Sequence, residues 1–225
     1  MRDGTPRRHT LLVFLLFLVL YLLTASGHLS TPDEELMFRT TEALATRGAL
    51  SIEPLIDATG SGFASRRGLN GHEYAQYGVG NSLFAVPLFW VGSALAALIP
   101  PETAEQWFAF RTTLLLPEGV ERGPALVKRL VVSLQGSLVS AILCALVWRF
   151  ARRVALRVQN GLSSVPADVG GGSPNVPASP LSPDGAAWLT ALAFGAGTMA
   201  WPHARTFFSE PLAALFMLGA FYVAD

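Results

Sequence analysis

The sequence carries a single cysteine, Cys144, among 225 residues, which excludes an internal disulfide framework and a cysteine-based zinc site. Charge is scarce as well. Only 14% of residues are Asp, Glu, Lys or Arg, against about 25% in soluble domains. Sixteen basic residues balance sixteen acidic ones, so the formal net charge is zero. A chain without a basic excess lacks the phosphate attraction that nucleic-acid binding needs, so no nucleic acid is expected as a partner. No internal repeat, P-loop, nucleophile elbow, HExxH or dinucleotide fingerprint occurs. What the sequence does have is apolar surface: 51% of residues are hydrophobic and the mean hydropathy is +0.42. That surface comes in runs, which points to a multi-pass membrane protein of the all-α class before a soluble one.

Residues 1–9 are polar, with Arg2, Arg7 and Arg8 against Asp3, and read as a cytoplasmic N-terminus. Residues 10–27 form a first transmembrane helix around LLVFLLFLVLYLL. The run is borderline in length for a span, and the small residues Thr24-Ala25-Ser26-Gly27 leave a cleaved signal peptide open. Either reading sends residues 28–81 to the outer face. This mixed loop holds seven acids and four arginines. Thr31, Pro32 and Glu34 spell an N-cap, an N1 proline and a capping box, and Gly48 suits the stop of the same helix. Asn70-Gly71 predicts a tight hairpin turn between 63–69 and 72–77.

Residues 82–100 read as a juxtamembrane or second transmembrane helix, 101–129 as a loop and 130–148 as a transmembrane helix. Residues 149–185 combine an Arg-rich edge with a linker over 158–185 that holds five Pro, five Gly and five Ser and is expected to be disordered. Residues 186–225 read as a transmembrane hairpin with a polar kink from His203 to Glu210. Arg149, Arg152, Arg153 and Arg157 have no acid among them, and the positive-inside rule places them in the cytoplasm with the N-terminus. That holds if residues 83–99 lie along or dip into the outer interface, giving about four spans plus one juxtamembrane helix. The short run, Pro87, Gly92 and Pro100-Pro101 favour this arrangement. Five spans remain the alternative, since Lys128 and Arg129 weaken the asymmetry. Only the four-span arrangement gathers Asp33, Tyr74, Tyr77, His203, Arg205 and Glu210 on one face.

Asp33 and Glu34 suit a helix start through the macrodipole and the capping box. A carboxylate beside a membrane also suits proton acceptance from a hydroxyl or the binding of a divalent cation. The stretch 72–81, with Tyr74, Tyr77 and the Gly-Val-Gly at 78–80, suits a sugar or lipid phosphate, or equally a hairpin with interfacial tyrosines. Ionisable residues next to spanning segments are functional candidates by default. Arg205 suits a lipid-linked phosphate, and Glu210 suits pairing with it, holding a metal or orienting an acceptor. A plain polar turn is the bland alternative there.

In this order and spacing the motifs resemble the multispan GT-C glycosyltransferases that use polyprenyl-phosphate-linked sugars, such as protein O-mannosyltransferases and the lipid A aminoarabinose transferase. The likeness rests on Thr31-Pro32-Asp33-Glu34 after the first span, on Arg149-Phe150-Ala151-Arg152-Arg153 at a cytoplasmic edge, and on Phe208-Ser209-Glu210-Pro211 in a later hairpin. The resemblance implies transfer of a sugar from a polyprenyl-phosphate donor to an acceptor on the outer face. It implies Asp33 as base or metal-site acid with Glu34 in support, and Tyr74, Tyr77, His203, Arg205 and Glu210 as substrate contacts. The implied partners are the donor and membrane lipid; the metal and the oligomeric state stay open. The resemblance covers the front part of a family member, so the chain reads as an N-terminal portion, a fragment for which inactivity alone is one expectation. The linker over 158–185 is longer than the family pattern. A non-catalytic multispan protein, such as a transporter piece or an assembly subunit, is the rival reading.

Overall fold

The computed structural model describes residues 5–53, 55–56, 62–108, 121–163 and 181–224, and within them the chain is mostly helical. Helix α1 runs from Thr5 to Thr24. Helix α2, Pro32–Arg47, begins as its sequence dictates. Thr31 accepts the backbone N–H of Glu34, the Glu34 carboxylate returns to the N-cap, and Gly48 closes the helix in the left-handed region at φ 63°. A small sheet follows in the order β1-β5-β4, from Ser51–Ile52, Glu73–Ala75 and Ser65–Arg67, all antiparallel. Two further strands, β2 (Leu55–Ile56) and β3 (Gly62–Phe63), pair beside it.

The expected hairpin forms with a longer turn than two residues. Ser65 pairs with Ala75 and Arg67 with Glu73, and the Gly68 N–H donates to His72 O at 2.7 Å. The loop is therefore 69–71, a turn closed by Gly71 at φ 81°, as three-residue hairpins require.

Helix α3 spans Val79–Leu98 around Pro87. At 20 residues it is long enough to span, so the shortness expected from residues 83–99 is not what sets it apart. Its packing is. It lies mainly against α2 and against α5 (Arg122–Ser133), and near its start the Phe84 ring stacks edge-on to Phe216 at 5.3 Å. The region expected as a loop, 101–129, holds α4 (Pro101–Phe108) and most of α5. Helix α5 passes through Leu134 into α6, Gln135–Ser163. The helix expected over 130–148 is thus divided between the two, and the Arg-rich edge is the continuation of α6. Residues 158–163 of the expected linker are helical, and Ser182 and Pro183 cap and open α7 (Pro183–Gly197). The rest of that linker, 164–180, lies outside the described residues. A short α8 (Ala200–Ala204) and α9 (Glu210–Ala224) complete the chain.

Among the described residues, three helical stretches are long and apolar enough to cross a membrane: Pro6–Thr24, Val79–Leu98 and Arg122–Gly161. The main bundle is built from α1, α6, α7 and α9, and side-chain contacts fix the direction of each. His9 stacks edge-on to Trp148 and Trp188, and Arg152 holds Asp184 at 2.6 Å. At the other end Tyr21 donates to Gly195 O, Trp201 donates to Thr24, and Ser137 donates to Ala204 O. Arg153 donates to Tyr222 O. Hence α1 and α7 run one way, α6 and α9 the other. The α1–α6–α7 seam is made of Val13, Phe17, Tyr21, Cys144 and Trp148 packed on Ala141, Ala187 and Ala191; the alanines let the helix axes approach. A second core joins α2, α3 and α5 to the loop after α8 through Met37, Phe38, Ala85, Phe89, Val132 and Phe207.

Candidate functional site

The site is built where several helices begin. The first turns of α2, α3, α6 and α9 and the loop after α8 meet at the Thr24 end of the bundle. Glu34 is the joint. Fully buried at 1% exposure, it accepts the N–H groups of Ser30 (2.5 Å) and Thr31 (2.9 Å) on one oxygen and that of Phe207 (2.6 Å) on the other. A carboxylate satisfied by three backbone donors is a strong anchor, and this one ties the start of α2 to the loop that follows His203 and begins at Arg205. Asn81 continues the joint. It donates to Phe207 O at 3.2 Å and receives Gln135 Nε2 at 2.7 Å, so α3 and α6 start from the same point. Gly136 makes the approach possible, because a Cβ there would overlap Thr206 O.

Asp33 is half-buried, one residue before Glu34 and free of the clamp that holds its neighbour. It lies beside the Tyr77 phenol, whose pKa is raised above the ordinary value of 10.0, first by burial and then by hydrogen bonding to Asp33. The phenol therefore stays protonated at neutral pH and offers a donor next to a carboxylate. His203 is half-buried on α8, while Arg205 and Glu210 are exposed. The Arg205 backbone is pinned, its carbonyl accepting from Ser26 at 3.0 Å, and its guanidinium makes no ion pair with Glu210 among the described residues. Tyr74 goes elsewhere: its hydroxyl receives Asn70 Nδ2 at 2.6 Å within the hairpin. Among the described residues no three His, Cys, Asp or Glu side chains gather to hold a metal ion.

Asn81, Gln135, Glu35 and Arg129 were not among the sequence candidates. Glu35 is buried between Arg129, at 2.6 and 2.9 Å, and Arg39, at 3.2 Å, and the Arg129 guanidinium covers the Phe38 ring at 4.2 Å. This triad locks α2 onto α5. A second glutamate after Glu34 and an arginine just before the long apolar run were the available signals, but nothing in the sequence couples positions so far apart. Chemically, the site presents one half-buried carboxylate and a neutral phenol, with an imidazole on α8 and a guanidinium on the loop after it. The chain matches no known family model, no curated protein and no solved structure.

Proposed function

We propose that the chain is part of a multi-pass membrane glycosyltransferase of the GT-C type, taking a sugar from a polyprenyl-phosphate donor at the outer face of the membrane. In this reading α1, α6, α7 with α8, and α9 cross the membrane, while α3 lies in the outer interface. The arginines of α6 and the N-terminus then share the cytoplasmic side, as the positive-inside rule asks.

One observation carries the reading. The Glu34 carboxylate bonded to Phe207 N–H holds Asp33 and the His203–Arg205 loop in one assembly, at the end of the bundle away from the arginines. Asp33 has the role of proton acceptor for the incoming hydroxyl, with Tyr77 as its neighbouring donor. Arg205 supplies the bidentate fork for the donor phosphate, and among the described residues its side chain has no carboxylate to occupy it. His203 and Glu210 flank the same loop.

The test uses the chain reconstituted in proteoliposomes with a labelled polyprenyl-phosphate sugar. Asp33→Asn is expected to keep donor binding and to lower transfer at least roughly a hundredfold, the scale of a lost general base. Arg205→Gln is expected to weaken donor binding itself. Transfer that survives Asp33→Asn, or donor binding indifferent to Arg205→Gln, overturns the assignment.

A further inference from the structure

At the opposite end from Asp33, α1 and α6 do not close completely. A cleft of about 500 Å³ separates them. Arg7, Leu11 and Phe14 line it from α1, and Ile142, Ala145 and Arg149 from α6. The spacing explains the shape. Positions 7, 11 and 14 fall on one face of α1, and 142, 145 and 149 on one face of α6. Because the two helices run antiparallel, Arg7 and Arg149 meet at the same end, while Phe14 and Ile142 lie deeper. The cleft is thus basic at its mouth and apolar within.

Arg7 and Arg149 are exposed, and neither guanidinium has an ion pair among the described residues. Among the described residues, Asp184 at this end is held by Arg152 at 2.6 Å. The Arg149 guanidinium lies over the Tyr222 ring at 5.3 Å. Leu11 is 55% and Ile142 40% exposed, so the apolar wall is open to an occupant.

We infer that this cleft is a binding site for one anionic phospholipid of the inner leaflet, with its phosphate between Arg7 and Arg149 and an acyl chain along Leu11, Phe14 and Ile142. Two forks of N–H donors suit a phosphate that exposes several oxygens, and basic grooves between spanning helices on the cytoplasmic side are suited to acidic headgroups. The inference rests on the membrane reading above, because the two arginines face inner-leaflet headgroups only if this end of the bundle is cytoplasmic.

The experiment compares phosphatidylglycerol with phosphatidylcholine, counted by native mass spectrometry as lipids retained on the full chain extracted from vesicles of equal parts of the two. The wild type is expected to retain one phosphatidylglycerol in preference. Arg7→Gln/Arg149→Gln is expected to lower that preference roughly tenfold or more. Arg8→Gln/Arg157→Gln removes the same charge from the same end and is expected to leave it intact. Ile142→Trp fills the apolar part at unchanged charge and is expected to lower retention too, while excess inorganic phosphate is expected not to displace the lipid. Equal loss in both arginine pairs means a diffuse field and overturns the site; displacement by inorganic phosphate overturns the lipid assignment. A chain that inserts in vesicles but shows no preference overturns this inference alone. A chain that does not float with vesicles of either lipid overturns the membrane reading and the inference with it.

Discussion

Glu34 shows how one side chain can be half readable from sequence. The Thr31-to-Glu34 spacing announces a capping box, and the box forms. That accounts for one carboxylate oxygen only. The other accepts Phe207 N–H, 173 positions away in the chain, and no local pattern encodes so distant a partner. Asp33 and the His203–Arg205 turn could be singled out because ionisable groups are rare around apolar runs; Asn81 and Gln135, being uncharged, raised no such signal. Glu34→Gln separates clamp from chemistry. The amide keeps one acceptor and turns a donor toward a backbone N–H, so a buried donor loses its partner. The expected cost is about 1–3 kcal/mol, read as a lowered unfolding midpoint of the detergent-solubilised chain. A change within about 0.5 kcal/mol, the scale of an ordinary surface substitution, would show that the clamp contributes nothing.

Among the helices, existence was easier to read than extent. Apolar runs marked α1, α3 and the body of α6, and caps marked α2. The boundaries around α5 and α6 escaped because Ser133, Gln135 and Gly136, around the break at Leu134, are too few to interrupt the apolar run, and because the polar 149–163 segment continues a helix that began in apolar sequence. Packing between helices turns on small residues that carry no periodic signal. Gly195 is the sharpest case. Phe17 packs directly on it, and Tyr21 donates to its carbonyl at 2.9 Å, so a Cβ there would overlap the Phe17 ring. Gly195→Ala is expected to push α1 from α7 at a cost of about 1–3 kcal/mol. Gly197, two residues on, has nothing within 4 Å of a Cβ, and Gly197→Ala is expected to be neutral or to stabilise the helix by up to about 1 kcal/mol. Thermal unfolding of the two variants side by side checks the contrast; equal effects would mean that the α1–α7 seam is loose.

For the whole molecule, the direction of each helix matters more than the number of apolar runs. Counting runs alone permits α3 to cross, and then the arginines of α6 sit opposite the N-terminus. The packing gives a different constraint, independent of any charge rule. His9 touches Trp148 and Trp188, Arg152 holds Asp184, and Arg153 reaches Tyr222. These contacts bring the start of α1, the middle of α6, the start of α7 and the end of α9 to one end of the bundle, while the hairpin at 65–75 belongs with α2 at the other. In the proposed membrane reading, charge then decides only which end faces the cytoplasm. Two things follow for reporters fused at the N-terminus, at residue 70 and at residue 171. The first and third are expected on the same side whatever the orientation, because they flank α1 and lie between α6 and α7. Residue 70 is expected on the opposite side, and the arginines predict that side to be extracytoplasmic. A signal at residue 171 on the side of residue 70 would mean that α3 crosses. Asp33 and Arg205 would then lie on opposite faces of the membrane, and no single substrate could reach both.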